Sequence, residues 1–373
     1  MQEQYNARQL LSLGAVIVLT PALRLFPSQA AQAGRAGWLS PIAALPLAVA
    51  WAWGMSRFLA ALAPGEQFPD LLLRLGGRAF GKAALTLLAG WCLVYAAFIL
   101  RSGADRLVGT IYPGASPLLF SQLMGFIALA AALSSPRTLA RVGRMLLPLL
   151  MGVLGLLLFF AFYSARAENL LPVGPADFWP VLKTAPLPLD ILSGTGTALC
   201  FLAGGLKDKG PRFPALAIWA GCMCLLLTLI CAAVMGVFGA PLTAELARPF
   251  FVLVRTLVFF RSLERVEALV VMLWIFPDFL MAALFLWTGQ YSLRLRCGFR
   301  PDAQLHPRLD MSEGRVLIWG FGAAAIALSL FLAPEPAALE RWSTLYIPAA
   351  NLGFVFGFLP LLYFVGSKTA QKK

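Results

Sequence analysis

Charge is scarce in this chain, and acid most of all. Only 13% of its 373 residues are charged, with 17 Asp and Glu against 30 Lys and Arg. Soluble domains run at about 25% charged, so a chain that is also 60% hydrophobic is read as a polytopic membrane protein. Histidine is nearly absent. The single one, His306, falls in a basic loop, which excludes a His-rich metal site and leaves no Ser–His set for catalysis. The six cysteines are Cys92, Cys200, Cys222, Cys224, Cys231 and Cys297, mostly inside apolar runs; they read as packing residues rather than disulfides or ligands. There is no nucleotide loop and no GxSxG. Neither cofactor nor metal is expected, and the chain is not expected to be an enzyme. The net charge of +13 is no sign of nucleic acid, because the basic residues gather in short loops between apolar runs. No cleavable leader is evident, since the first apolar run begins at Gln9 and leads into others.

Those runs have the length of membrane-crossing helices, about 20 residues each. They predict an all-α protein of about ten spans: 9–30, 38–60, 83–108, 118–133, 145–163, 187–206, 214–238, 266–286, 316–332 and 345–365, with 62–82 as a polar loop. Placing the N-terminus in the cytoplasm puts three or more basic residues in every inside loop between spans, so both termini are expected to be cytoplasmic. Ten spans form one domain, 1–373, of two sets of five, 8–163 and 180–366. An odd number per set turns the two in opposite directions, the geometry of an inverted repeat.

Two spans carry the residues of a broken helix. In 187–205 the run Ser193-Gly194-Thr195-Gly196-Thr197 interrupts an apolar segment. Glycine favours irregular backbone, and hydroxyls can satisfy the groups that a break leaves free. In 18–27 the interruption is expected near Thr20-Pro21, with Arg24 and Pro27 following. Discontinuous helices 1 and 6 at mid-membrane are the mark of a transporter's binding site; ten packed helices with incidental glycine and proline are the plain alternative.

Few ionisable groups enter the spans, and each is a functional candidate because charge is costly there. Arg24 lies about 15 residues into the first span, roughly 22 Å of helix, and Asp190 enters the sixth from the outside at a similar depth. The two are expected to form an ion pair joining the broken helices, with separate snorkelling to the outer interface as the alternative. Asp278 follows Pro277 about 12 residues into the eighth span, roughly 18 Å. It could hold a coupling cation, carry a proton, bind a substrate amine, or bond to backbone opened by the proline. Glu264, Arg265 and Glu267 at the mouth of that span read as capping and interfacial ion-pair residues, and Arg101, Asp105 and Arg106 end the third span in a comparable way.

The run Leu263-Glu264-Arg265-Val266-Glu267-Ala268-Leu269, closed by Leu273-Trp274-Ile275, resembles the spore-germination permease family, the B subunits of germinant receptors. Ala7-Arg8-Gln9, Leu25-Phe26-Pro27, Gly34 with Trp38-Leu39-Ser40, and Ala140-Arg141 with Leu147-Pro148 are similar to it too. The resemblance implies a fold of the amino acid–polyamine–organocation superfamily and a place in the bacterial cytoplasmic membrane or the spore inner membrane. It implies a small nutrient ligand, often an amino acid, and A and C subunits as partners. It places the ligand between spans 1, 3, 6 and 8, at Thr20, Pro21 and Ala22, Tyr95 and Phe98, Gly194, Thr195 and Gly196, and Asp278 and Phe279. Packing is the ordinary role of Tyr95 and Phe98. The sequence departs from the family at Pro21, at Arg24 and at Arg35-Ala36-Gly37. The alternatives are a secondary amino acid permease, proton-coupled or not, and a structural membrane subunit.

Overall fold

The computed structural model describes residues 5–62, 66–206, 212–257, 267–298, 313–333 and 335–358. Among them there is no sheet, only an isolated bridge between Tyr5 and Leu206. The helices are α1 Ala7–Arg24, α2 Phe26–Ala31, α3 Ser40–Ala43, α4 Leu45–Ala61, α5 Phe68–Thr110, α6 Pro117–Ala132, α7 Pro136–Ser164, α8 Phe178–Thr184, α9 Pro186–Leu202, α10 Phe213–Glu245, α11 Pro249–Thr256, α12 Glu267–Arg296, α13 Glu313–Phe331, α14 Pro336–Arg341 and α15 Ile347–Leu352. Five of them open on a proline, at 117, 136, 186, 249 and 336. There the missing N–H costs nothing and the fixed φ already suits a helix.

Six helical stretches are long and apolar enough to cross a membrane by length and composition: Gly34–Ala60, Ala79–Thr110, Pro136–Ser164, Pro175–Gly205, Phe213–Glu245 and Leu269–Arg296. Pro117–Ala132 and Val316–Phe331 are shorter apolar helices. α5 and α12 pack along each other, and α1 is held among α7, α12 and α9.

The helices depart from expectation in five places. Most of the expected loop, from residue 68 to residue 82, is helix: α5 already begins at Phe68 and kinks at Gly77, whose φ of 65° suits only glycine. α10 kinks in the same way at Gly239, with φ 74°. α1 runs on through Pro21 and stops at Arg24, so the first span breaks at Leu25 instead. α9 passes unbroken through Ser193–Thr197, and its interruptions lie at its two ends, at Ala185 and in the 3-10 turn Ala203–Gly205. The reason is local. The Thr195 hydroxyl bonds back to the Ile191 carbonyl at 3.0 Å, within the helix. The glycines serve close packing: a Cβ on Gly196 would lie 2.8 Å from the Trp51 ring, and one on Gly194 2.9 Å from Asn351 Nδ2.

The most irregular helix is one that the sequence reading left regular. The last span widens to π-helix over Trp342–Tyr346 and Gly353–Phe358, on either side of α15. Single π turns inside α-helices are frequent at functional sites.

Candidate functional site

The helix faces that meet where α1, α5, α9 and α12 cross can be read from their spacing. α1 presents Ile17, Thr20, Pro21 and Arg24. α5 presents Tyr95, Phe98, Ile99, Ser102 and Arg106. α9 gives Asp190, Ile191, Gly194 and Thr195, and α12 gives Pro277, Asp278 and Met281. Ser343, Ile347 and Asn351 come from the last, π-interrupted helix. Steps of three and four residues keep each set on one face. Together they line a cavity of about 70 Å³.

Four charges face this cavity, and they are not equivalent. Arg106 on α5 and Asp278 on α12 form a buried ion pair, with side chains only 4% and 6% exposed. Arg106 Nη1 also donates to Ser102 Oγ at 2.9 Å, and its guanidinium lies over the Trp274 ring, 6.0 Å from the centroid. Asp278 is therefore matched by a cation, an arrangement none of the four sequence readings contained. Arg106 is a cavity residue rather than an interfacial end of its span. Asp105 does serve such an end: it accepts from Arg248 Nη2 at 2.9 Å. Arg101 Nε donates to the Ala333 carbonyl at 2.9 Å.

The other two charges do not pair with each other. No ion pair joins Arg24 to Asp190, although both face the cavity; the expected bridge between the two helices is absent. Arg24 Nη1 donates instead to Ser102 Oγ at 2.5 Å, and its guanidinium covers the Phe98 ring, 5.4 Å from the centroid. Arg24 Nε is buried with no hydrogen-bond partner among the described residues. Asp190 Oδ1 accepts from Asn351 Nδ2 at 2.9 Å, and Asn351 can come that close because position 194 carries no Cβ. As the last residue of α1, Arg24 stands where a helix dipole favours a cation.

Of the residues expected around a ligand, Thr20, Pro21, Tyr95, Phe98, Gly194, Thr195 and Asp278 line the cavity. The other three do not. Ala22 is wholly buried in the core, Gly196 abuts Trp51, and Phe279 packs half-buried against the core. Thr20 Oγ1 donates across to the Trp274 carbonyl at 3.2 Å, one turn before Asp278 and so tying α1 to α12. Pro21 cannot donate to the Ile17 carbonyl four residues back, so the freed backbone expected here does exist, inside a continuous helix. Glu264 and Arg265 lie outside the described residues, and Glu267 opens α12. The sequence reading missed Ser102, Arg106 and Asn351. Asn351, an amide in an otherwise apolar span, was the readable signal.

Two sets of contacts flank the cavity. Toward the start of α5, Tyr95 stacks on Phe285 with centroids 4.2 Å apart. Phe285 meets Phe201 at 5.3 Å, and Phe201 meets Phe68 at 6.0 Å. Beyond them the Tyr5 amide donates to the Gly205 carbonyl at 3.0 Å, strapping the N-terminal segment across the end of α9. Toward the end of α5, Arg248 of the α10–α11 connection clasps Asp105 and donates to the Gly109 carbonyl at 3.1 Å.

No curated protein matches this chain. Among solved structures the fold is similar to Mhp1, a nucleobase-cation-symport-1 family transporter in a closed conformation with bromovinylhydantoin bound. The TM-score is 0.67 at 13% identity, covering 96% of this chain and 78% of that one. Likeness at this identity speaks for the fold alone. The family model described as spore germination protein matches residues 6–294, and this chain belongs to that family, the spore permeases.

Proposed function

We propose that this integral membrane protein is the transporter-like B subunit of a spore germinant receptor. It binds a small nutrient, an amino acid, and passes the binding event to A and C subunits in the spore inner membrane. The observation that supports this reading is a cavity at the crossing of α1, α5, α9 and α12 that four charged side chains face, in a chain of the spore germination family. A cavity between packed helices is a place where ligand binding can favour one packing over another. In this reading the spans form two inverted sets of five, and both termini face the cytoplasm.

The test is thermal unfolding of the purified chain against a panel of amino acids, sugars and nucleosides. A ligand that binds only the folded form raises the midpoint. A shift of several degrees with an amino acid, together with co-purification of the A and C subunits, is the expected result. No shift with any nutrient overturns the proposal. Uptake of the labelled amino acid into proteoliposomes by this chain alone would replace the receptor with a permease.

A further inference from the structure

The charges around the cavity specify more than a small ligand. Arg24, Arg106, Asp190 and Asp278 sum to zero, and two of the four, Arg106 and Asp278, are already satisfied by each other. What is left is one cation and one anion on different walls, Arg24 on α1 and Asp190 on α9. Each is held in place by a neighbour that leaves it short of partners. Ser102 takes one N–H of Arg24; Nε of Arg24, like that of Arg106, has no acceptor among the described residues, but Arg106 has the Asp278 carboxylate, while no carboxylate among those residues is bonded to Arg24. Asn351 donates to one oxygen of Asp190.

A buried guanidinium with open donors suits a carboxylate, which it can meet with two parallel hydrogen bonds. A carboxylate with a free oxygen suits an ammonium. The rest of the lining is mostly apolar, with Ile17, Ile99, Ile191, Met281 and Ile347, and the hydroxyls of Thr20, Tyr95, Thr195 and Ser343 stand among them. A third charge entering the cavity would find no counter-ion, and burying an unpaired charge is strongly unfavourable.

We infer that Arg24 and Asp190 are a two-ended clamp for a zwitterion, with the ligand carboxylate on Arg24 and its ammonium on Asp190. The ligand is a neutral α-amino acid with an apolar side chain. This inference rests on the proposal that the cavity binds a nutrient, and it adds the direction and the chemistry. The two side chains do the work otherwise expected of frayed helix ends in spans 1 and 6. The net-neutral ligand leaves the cavity net neutral.

The experiment uses the purified full chain and five probes: L-valine, L-valinamide, 2-hydroxy-3-methylbutanoate, L-glutamate and L-lysine. Wild type is expected to be stabilised by valine. The amide lacks the carboxylate and the hydroxy acid lacks the ammonium, so each should bind 10- to 100-fold more weakly, as for loss of one charged hydrogen-bonding group worth about 1.5–3 kcal/mol. Glutamate and lysine should bind no better than these two. This arm needs no variant. In Arg24→Gln the gap between valine and valinamide should close while the gap to the hydroxy acid remains, and Asp190→Asn should show the reverse. Equal binding of valine and both analogues by wild type overturns the clamp but leaves a nutrient site standing, as does valine binding that both variants keep in full. Silence from every nutrient class overturns the site itself, which is the separate outcome of the wider screen.

Discussion

The Arg106–Asp278 pair is where energetics and mechanism are most easily confused. Both side chains are almost wholly buried, and the guanidinium is further held by Ser102 and by the Trp274 ring. Removing one partner strands the other charge in a low-dielectric interior, at about 3–5 kcal/mol for a buried pair. Replacing both with apolar residues of similar volume removes the desolvation penalty along with the attraction, and is often close to neutral. Arg106→Met and Asp278→Leu should therefore each lower the unfolding free energy by about 3–5 kcal/mol. The double variant should fall short of wild type by about 1 kcal/mol or less, a coupling well beyond the 0.5–3 kcal/mol common for contacting residues. The assay is SDS-induced unfolding of the detergent-solubilised chain, followed by tryptophan fluorescence. Losses that simply add in the double variant would refute the reasoning. It also follows that inactivity of Asp278→Asn alone says nothing about proton or ion coupling, because that change leaves Arg106 unmatched; only the double variant separates the two causes.

Two further substitutions follow from close contacts. Gly194→Ala places a methyl 2.9 Å from Asn351 Nδ2 and should push Asn351 off Asp190, at about 1–3 kcal/mol for a disturbed buried hydrogen bond; Asn351→Ala alone should cost a similar amount, and adding Gly194→Ala to it should cost little more in the same unfolding assay. Arg248→Ala removes the clasp on Asp105. The two side chains are 25% and 30% exposed, so stability should change by less than about 1 kcal/mol, while maleimide labelling of a Ser102→Cys variant should become faster. Unchanged labelling would mean that Arg248 does not guard the cavity.

Much of this architecture could be read from composition and spacing. Apolar runs located the helices because a bilayer demands about 20 such residues, and the family resemblance named two short stretches of which Thr20 and Pro21 in α1, and Gly194 and Thr195 in α9, line the cavity. The errors have physical causes. Glycine and hydroxyl residues in a span permit a break but do not require one. In α9 they were needed for Asn351 and Trp51 to approach, and the Thr195 hydroxyl was satisfied within its own turn. A proline inside a span frees one carbonyl without ending the helix, which is why α1 continues past Pro21. The Arg106–Asp278 pair was out of reach because depth was counted from span ends, and α5 extends further than its apolar run. Partnership between distant helices leaves no local trace: Arg24 and Asp190 both face the cavity, but their partners are Ser102 and Asn351 rather than each other.

The most direct measurement is a structure of the full chain determined with its stabilising amino acid bound. The account predicts ligand density in the cavity between α1 and α9, with the carboxylate on the Arg24 guanidinium and the ammonium on the Asp190 carboxylate. An empty cavity with the ligand elsewhere, or Arg24 and Asp190 closed onto each other beside it, would contradict the account.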